Sequence, residues 1–142
     1  MKYYLVNPEV AGGYDEHSVV DRSVHPPIVS RLNYEFDDWL GDAIVESFPV
    51  YIVTEQAARE IRKAGLTGAV FDDMETSISD TFKQLNSDSN WLPKFVWLKP
   101  EGVAGKDDFG TVQPTTLVLS QRAVNLFARL GFNHAEIEPY VP

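Results

Sequence analysis

The stretch VYIVTEQAAREIRKAGLTGAVFDD, residues 50–73, returns in degraded form as TLVLSQRAVNLFARLGFNHAEIEP, residues 116–139. At a constant offset of 66, Thr54 falls on Ser120, Ala57 on Ala123, Ile61 on Phe127, Gly65 on Gly131, Leu66 on Phe132, Ala69 on Ala135 and Phe71 on Ile137. The matched positions spell one supersecondary unit. Residues 50–53 are a β-branched and aromatic run that reads as a strand, and Thr54 is a helix N-cap whose hydroxyl can accept a first-turn N–H. The helix runs about ten residues, with Ala57, Ile61 and Ala64 on one face at the spacing of a half-buried helix. Gly65 stops it in a left-handed conformation that lets Leu66 pack back on Ile61, and Gly131 does the same for Phe132 and Phe127. The expectation is strand, capped helix, Schellman stop and strand, written twice.

Composition bounds the rest. A chain of 142 residues, 44% hydrophobic and 12% aromatic, is long enough for one domain, 1–142, with its own core. It has no cysteine, which excludes disulfides and thiol chemistry and fits the cytoplasm. The opening MKYYLVNPEV is no signal peptide, and nowhere do about eighteen apolar residues follow one another. The net charge is −9, and residues 1–49 carry nine acidic against three basic side chains while residues 92–142 carry five of each. Nucleic acid is therefore disfavoured as a ligand, since it needs basic side chains on its phosphates. Membrane surfaces are disfavoured likewise, and a basic protein partner is allowed.

Outside the repeat, residues 2–6 read as a strand that Asn7-Pro8 ends. A loop-like region follows, with a turn at Gly12-Gly13 and with His25-Pro26-Pro27, whose prolines exclude helix and central strand. Residues 28–36 alternate weakly. Asp42 reads as the cap of a short helix, 43–48, that Pro49 ends. Residues 72–90 are polar with one helix at 79–85 and a loop at 87–90; residues 95–98 form a strand, and 99–115 a long loop or flexible hairpin. The fold class is α+β: a single domain, with a mixed sheet and the two unit helices packed on it.

No catalytic constellation emerges. GVAGKDD, residues 102–108, has two residues between its glycines where a phosphate loop needs four, and Asp107 follows Lys106 where Ser or Thr is needed. His17, His25 and His134 lack metal-ligand spacing, and His134 reads as an exposed turn residue. His17 and Asp21 fit one helix face, but no nucleophile accompanies them. The carboxylates Asp37, Asp38, Asp42, Glu46 and Asp72, Asp73, Glu75 lack the calcium-loop pattern and read as solvated faces. No cofactor and no metal site is expected. Trp39, set among these acids, is either a core anchor or an exposed contact residue. As a contact it places a partner-binding face at Asp37, Asp38, Trp39, Asp42 and Glu46, with Asp72, Asp73 and Glu75 beside it.

The order of strand, Ser or Thr, amphipathic helix, glycine, hydrophobic residue and strand follows the segment WLGDAIVESFP. It returns as LVLSQRAVNLFARLGFNHAEIEP. This arrangement resembles bacterial immunity proteins of polymorphic toxin systems, a large family first catalogued as a domain of unknown function. The resemblance covers residues 39–71 and 94–138. It implies a small acidic protein that binds a cognate toxin domain and blocks it without catalysis, and it carries over no functional residue. The competing expectations are a small acidic-site hydrolase or metal-dependent enzyme, and a structural or adaptor subunit.

Overall fold

The computed structural model describes residues 1–86 and 91–142, so the loop expected at 87–90 lies outside the described residues. In chain order the elements are β1 (Tyr3–Asn7), β2 (Gly12–Tyr14), β3 (Val19–Asp21), β4 (Ile28–Arg31), β5 (Asn33–Phe36), β6 (Ile44–Ser47), β7 (Val50–Thr54) and α1 (Glu55–Lys63). Then come β8 (Ala69–Asp72), β9 (Glu75–Ile78), α2 (Asp80–Leu85), β10 (Phe95–Pro100), β11 (Phe109–Val112), β12 (Thr116–Ser120), α3 (Gln121–Leu130) and β13 (Glu136–Tyr140).

The repeat is a repeat of structure. The Thr54 hydroxyl accepts the Ala57 N–H at 3.1 Å and the Ser120 hydroxyl accepts the Ala123 N–H at 3.2 Å, so both helices start on the same side-chain cap. The first helix ends in a Schellman motif: Gly65 has φ +67°, its N–H donates to the Arg62 carbonyl, and the Leu66 N–H donates to the Ile61 carbonyl. The second ends differently. Gly131 has φ +137° and ψ 112°, outside the left-handed helical region, because its carbonyl accepts the Ala43 N–H and the Gly41 backbone passes beside it. Phe132 still stacks on Phe127, with ring centroids 5.7 Å apart. Ala57, Ala58 and Ile61 are buried, whereas Ala64, expected on that face, is the exposed C-cap.

The two units lie in two antiparallel four-stranded sheets, ordered β6-β7-β10-β8 and β11-β12-β1-β13. Their registers superpose. In the first sheet Phe95 lies opposite Thr54 and Trp97 opposite Asp72; in the second Tyr3 lies opposite Ser120 and Leu5 opposite Glu138. Since Ser120 and Glu138 are Thr54 and Asp72 displaced by the repeat, β1 stands where β10 stands. The chain confirms it in letters: Val6-Asn7-Pro8-Glu9 stands at the end of β1 as Leu98-Lys99-Pro100-Glu101 stands at the end of β10. After each proline the chain crosses to the other half, where Glu9 bridges Val45 and Gly102 bridges Gly110. Apart from β2–β5, β9 and α2, the described elements thus form two halves related by a pseudo-twofold, with the repeat permuted around the chain.

One core gathers α1, α3 and a face of each sheet around Val6, Ile44, Val53, Ile61, Leu119 and Phe127. The mixed sheet is a third one, β2-β5-β9, in which β5 pairs antiparallel with β2 and parallel with β9. With α2 it builds a second core on the other face of the β6-β7-β10-β8 sheet, around Tyr34, Phe36, Val45, Ile52, Phe82 and Phe95. Ile52 and Val53 are both 0% exposed, which is why β7 reads as an unbroken apolar run and not as an alternation.

Three local expectations are corrected here. Residues 43–48 contain strand β6 and no helix: Ile44 and Val45 are needed one on each face of the sheet, and Asp42 does not cap the segment. Gly12-Gly13 begins β2 instead of making a turn, and a Cβ on Gly12 would collide with the Glu35 carbonyl oxygen. His17 and Asp21 share no helix face, and His17 Nδ1 lies 3.1 Å from Asp15 Oδ2 instead. The expected helix at 79–85 is α2 with Ser79 as its cap, and the long loop at 99–115 contains β11, hairpinned onto β12.

Candidate functional site

The acidic segment after β5 is held in place from beneath by a buried glutamate. Glu9, 5% exposed, follows Pro8 at the crossing between halves, and its two carboxylate oxygens accept the Leu40 N–H at 2.7 Å and the Asp42 N–H at 3.1 Å. Asp42, 1% exposed, in turn accepts the Asn133 N–H at 2.9 Å and the His134 N–H at 2.8 Å, tying the same segment to the turn after α3. Asp38 accepts the Trp39 N–H at 2.9 Å and takes the Asn86 side-chain amide at 3.3 Å. Trp39 donates its indole N–H to the Asp42 carbonyl at 2.9 Å, stacks on Trp91 with centroids 5.6 Å apart, and meets Phe95 edge-on at 5.7 Å. Trp39 is therefore half-buried, anchored in the second core at one end and open at the other. Leu40 is left 59% exposed on the crest.

The Asp42 latch has a counterpart in the other half. Asp108, 4% exposed, precedes β11 and accepts the Thr67 N–H at 2.9 Å, in the turn after α1. Thr67 and Asn133 are one repeat apart, so each half clamps the turn that follows the other half's helix. Asp108 also receives the Ser120 hydroxyl and a bidentate pair from Arg122, Nε at 3.1 Å and Nη2 at 2.6 Å. Although burial works the other way, these donors, Arg122 foremost, hold its carboxyl down to about 2. For Glu9 burial, helped by the Asp42 charge, outweighs its two backbone donors and pushes the carboxyl above the usual range.

The ridge separates two depressions. One, of about 230 Å³, is lined by Glu9, Val10, Asp37, Asp38 and Leu40, and Val10 is 66% exposed at its edge. The other, of about 280 Å³, has Trp39 as one wall and Arg59 and Lys94 as another. Both cations are turned onto Glu55, at 3.3 and 3.5 Å.

The sequence-predicted acids do not form one face. Asp37, Asp38 and Trp39 share the ridge, and Asp42 lies under it with its carboxylate committed to backbone. Asp72 and Asp73 line a separate cavity with Arg62 and Phe71, one that includes no residue of the ridge. Asp72 is 2.9 Å from the Lys99 ammonium, which holds its carboxyl below the usual range, and Glu75 is 3.5 Å from Arg31. Glu46 is half-buried on β6 opposite Tyr51, and burial raises its carboxyl. Sequence reasoning missed Glu9, Val10 and Leu40. The signal for Glu9 was present in the permuted match of NPE with KPE; an apolar residue such as Leu40 beside acids carries none.

Among the described residues no group of three or more His, Asp or Glu is placed to hold a metal ion, and no helix is long and apolar enough to cross a membrane. Comparison of the chain with family models, with curated proteins and with solved structures gives no match.

Proposed function

We propose that this protein is a non-catalytic binding protein, an immunity protein that neutralises a cognate bacterial toxin domain, basic in character, by direct contact. The observation that supports the reading is the ridge at 37–40. Leu40 stands exposed on a loop fixed by Glu9, Asp38 and Asp42, so little conformational entropy is lost when a partner covers it. Exposed apolar groups on a rigid, acid-rimmed surface suit a protein partner: Leu40 and Val10 supply area to bury, and Asp37 and Asp38 steer a basic surface towards it. The buried carboxylates Glu9, Asp42 and Asp108 are meanwhile each engaged by backbone or side-chain donors, which supports a structural use for them and a binding reading for the molecule.

The test is to capture the partner on the tagged protein, identify its gene, and express that gene with and without this chain. The expected result is that the wild type restores growth. The double variant Asp37→Lys, Leu40→Arg should fail to restore it while melting at the wild-type temperature. Equal protection by that variant would overturn the placement of the interface, and a partner whose activity is untouched by this chain would overturn the immunity reading.

A further inference from the structure

The two halves differ at the start of their helices. Before α3 the Ser120 N–H donates to the Asp108 carbonyl, and before α1 the Thr54 N–H donates to the Ala43 carbonyl, each at 3.0 Å, so Ala43 stands where Asp108 stands. The Gln121 N–H on the Lys2 carbonyl and the Glu55 N–H on the Lys94 carbonyl, both at 2.9 Å, repeat the match on the neighbouring strand. By the offset of the repeat, Thr54 answers to Ser120 and Gln56 to Arg122. Around α3 these positions enclose a carboxylate: Asp108 takes the Ser120 hydroxyl and the Arg122 guanidinium. Around α1 the chain supplies no such carboxylate. Ala43 offers only a methyl group there, and Ala43, Thr54 and Gln56 line the cavity of about 280 Å³ walled by Trp39.

That cavity holds donors without an acceptor. Thr54 is 8% exposed; its oxygen accepts the Ala57 N–H, but its O–H meets no acceptor among the described residues, whereas the Ser120 O–H is given to Asp108. A buried hydroxyl with an unused proton costs free energy until something accepts it. The remaining task of Asp108, holding the turn after the other half's helix, falls here to Asp42, which takes the Asn133 N–H and leaves the hydroxyl alone without its carboxylate. Beside that hydroxyl stand the N-terminus of α1, whose dipole favours negative charge, the exposed Gln56 amide, and the cations Arg59 and Lys94. The Glu55 carboxylate answers both cations, at 3.3 and 3.5 Å, and makes no hydrogen bond to Thr54 among the described residues. Two cations against one carboxylate leave the lining net positive, in a chain whose net charge is −9.

We infer that this cavity binds a carboxylate group from outside the chain, held by the Thr54 hydroxyl and the Gln56 amide against the start of α1, in the place that Asp108 fills in the other half. The group belongs either to a free small carboxylic acid or to an acidic side chain of a bound protein. The site lies on the far side of the ridge from the acidic depression and does not depend on the immunity reading.

The test titrates propionate into the isotope-labelled protein at constant ionic strength, followed by NMR, with propionamide as the neutral isostere. Saturable shifts are expected at the Trp39 indole and at residues 41–43 and 54–57. Propionamide should bind about tenfold more weakly or worse, since hydrogen bonds to an ionised acceptor are roughly twice as strong as neutral ones. N-acetyl-glutamate N-methylamide, a capped residue, distinguishes the sources: binding comparable to that of propionate assigns the cavity to an acidic side chain, and binding of propionate alone assigns it to a free acid. Gln56→Arg gives α1 the arginine that α3 has and should tighten propionate about threefold or more, the scale of one exposed ion pair. Ala43→Asp supplies the carboxylate from within and should abolish propionate binding; if that variant does not fold, Gln56→Arg decides alone. No saturable shift at these residues, equal shifts from propionamide, or unchanged affinity in Gln56→Arg would overturn the inference, as would propionate binding retained by a folded Ala43→Asp. The growth experiment is untouched by any of these results, because it depends on Asp37 and Leu40.

Discussion

Asp108→Asn is the perturbation for which the structure gives a magnitude. The side chain keeps its shape, and what is lost is the charge that receives Thr67, Ser120 and Arg122 together. In the folded protein the carboxyl sits at about 2 against an ordinary value of 3.8. A shift of that size means the ionised form is favoured over the neutral one by about 2 kcal/mol. Asparagine imitates the neutral form, so at pH 7 the variant should be less stable by about 2 kcal/mol, with a further cost if the amide turns its N–H groups towards Arg122. The sign of the pH dependence follows. A carboxyl whose folded pKa is depressed stabilises the fold above its unfolded pKa and loses that contribution as pH falls through the folded value. The difference between wild type and variant should be constant above about pH 5 and shrink towards zero near pH 2. Urea denaturation followed by tryptophan fluorescence at a series of pH values measures it. A difference at pH 7 below about 0.5 kcal/mol, within the range of ordinary surface substitutions, would refute the reasoning. So would a difference that persists undiminished at the acid end.

Glu9→Gln should destabilise the fold by about 1–3 kcal/mol at pH 7, because the amide keeps one acceptor oxygen and turns its NH2 on the Leu40 or the Asp42 N–H, which equilibrium unfolding at pH 7 checks. Gly131→Ala should cost more than Gly65→Ala, because a Cβ at 131 would lie 2.5 Å from the Gly41 oxygen whereas at 65 it meets nothing within 4 Å. Thermal melts of the pair should show a loss of about 1 kcal/mol for Gly65→Ala and clearly more for Gly131→Ala. Trp39→Ala should destabilise the fold by about 2–3 kcal/mol, less than a fully buried aromatic because one end of the ring is open, and the lowered melting temperature would identify it as a core anchor.

Much of the fold was legible because local rules fix it. Thr54 and Ser120 announce helix starts through the hydroxyl each offers to the first turn, and Gly65 announces a helix end through the φ it alone takes at no cost. The repeat of these signals was enough to predict two equivalent units and an α+β class. Several local errors share one origin. The segment 43–48 has the letters of a short helix, and only its place between two cores makes Ile44 and Val45 a strand; Gly12-Gly13 has the letters of a turn, and only the neighbouring Glu35 carbonyl makes it a strand that no side chain may enter.

The candidate site divides in the same way. Charge composition by itself pointed to the first half of the chain and to a basic partner, since net charge is a sum over residues and needs no geometry. Which acids face solvent is a different kind of fact. Asp42 and Asp37 are alike in sequence, yet one is folded under α3's turn and the other is exposed, because the backbone N–H groups of Asn133 and His134 arrive from 91 and 92 residues away. Glu9 latches a loop 31 residues ahead, and β1 takes the place of β10 across the pseudo-twofold, again through pairings between distant parts of the chain. The sequence by itself determined the repeated unit, its caps and its charge; the tertiary structure decided which carboxylates are latches and which stay exposed, because hydrogen bonds to distant backbone leave no periodic trace in the letters.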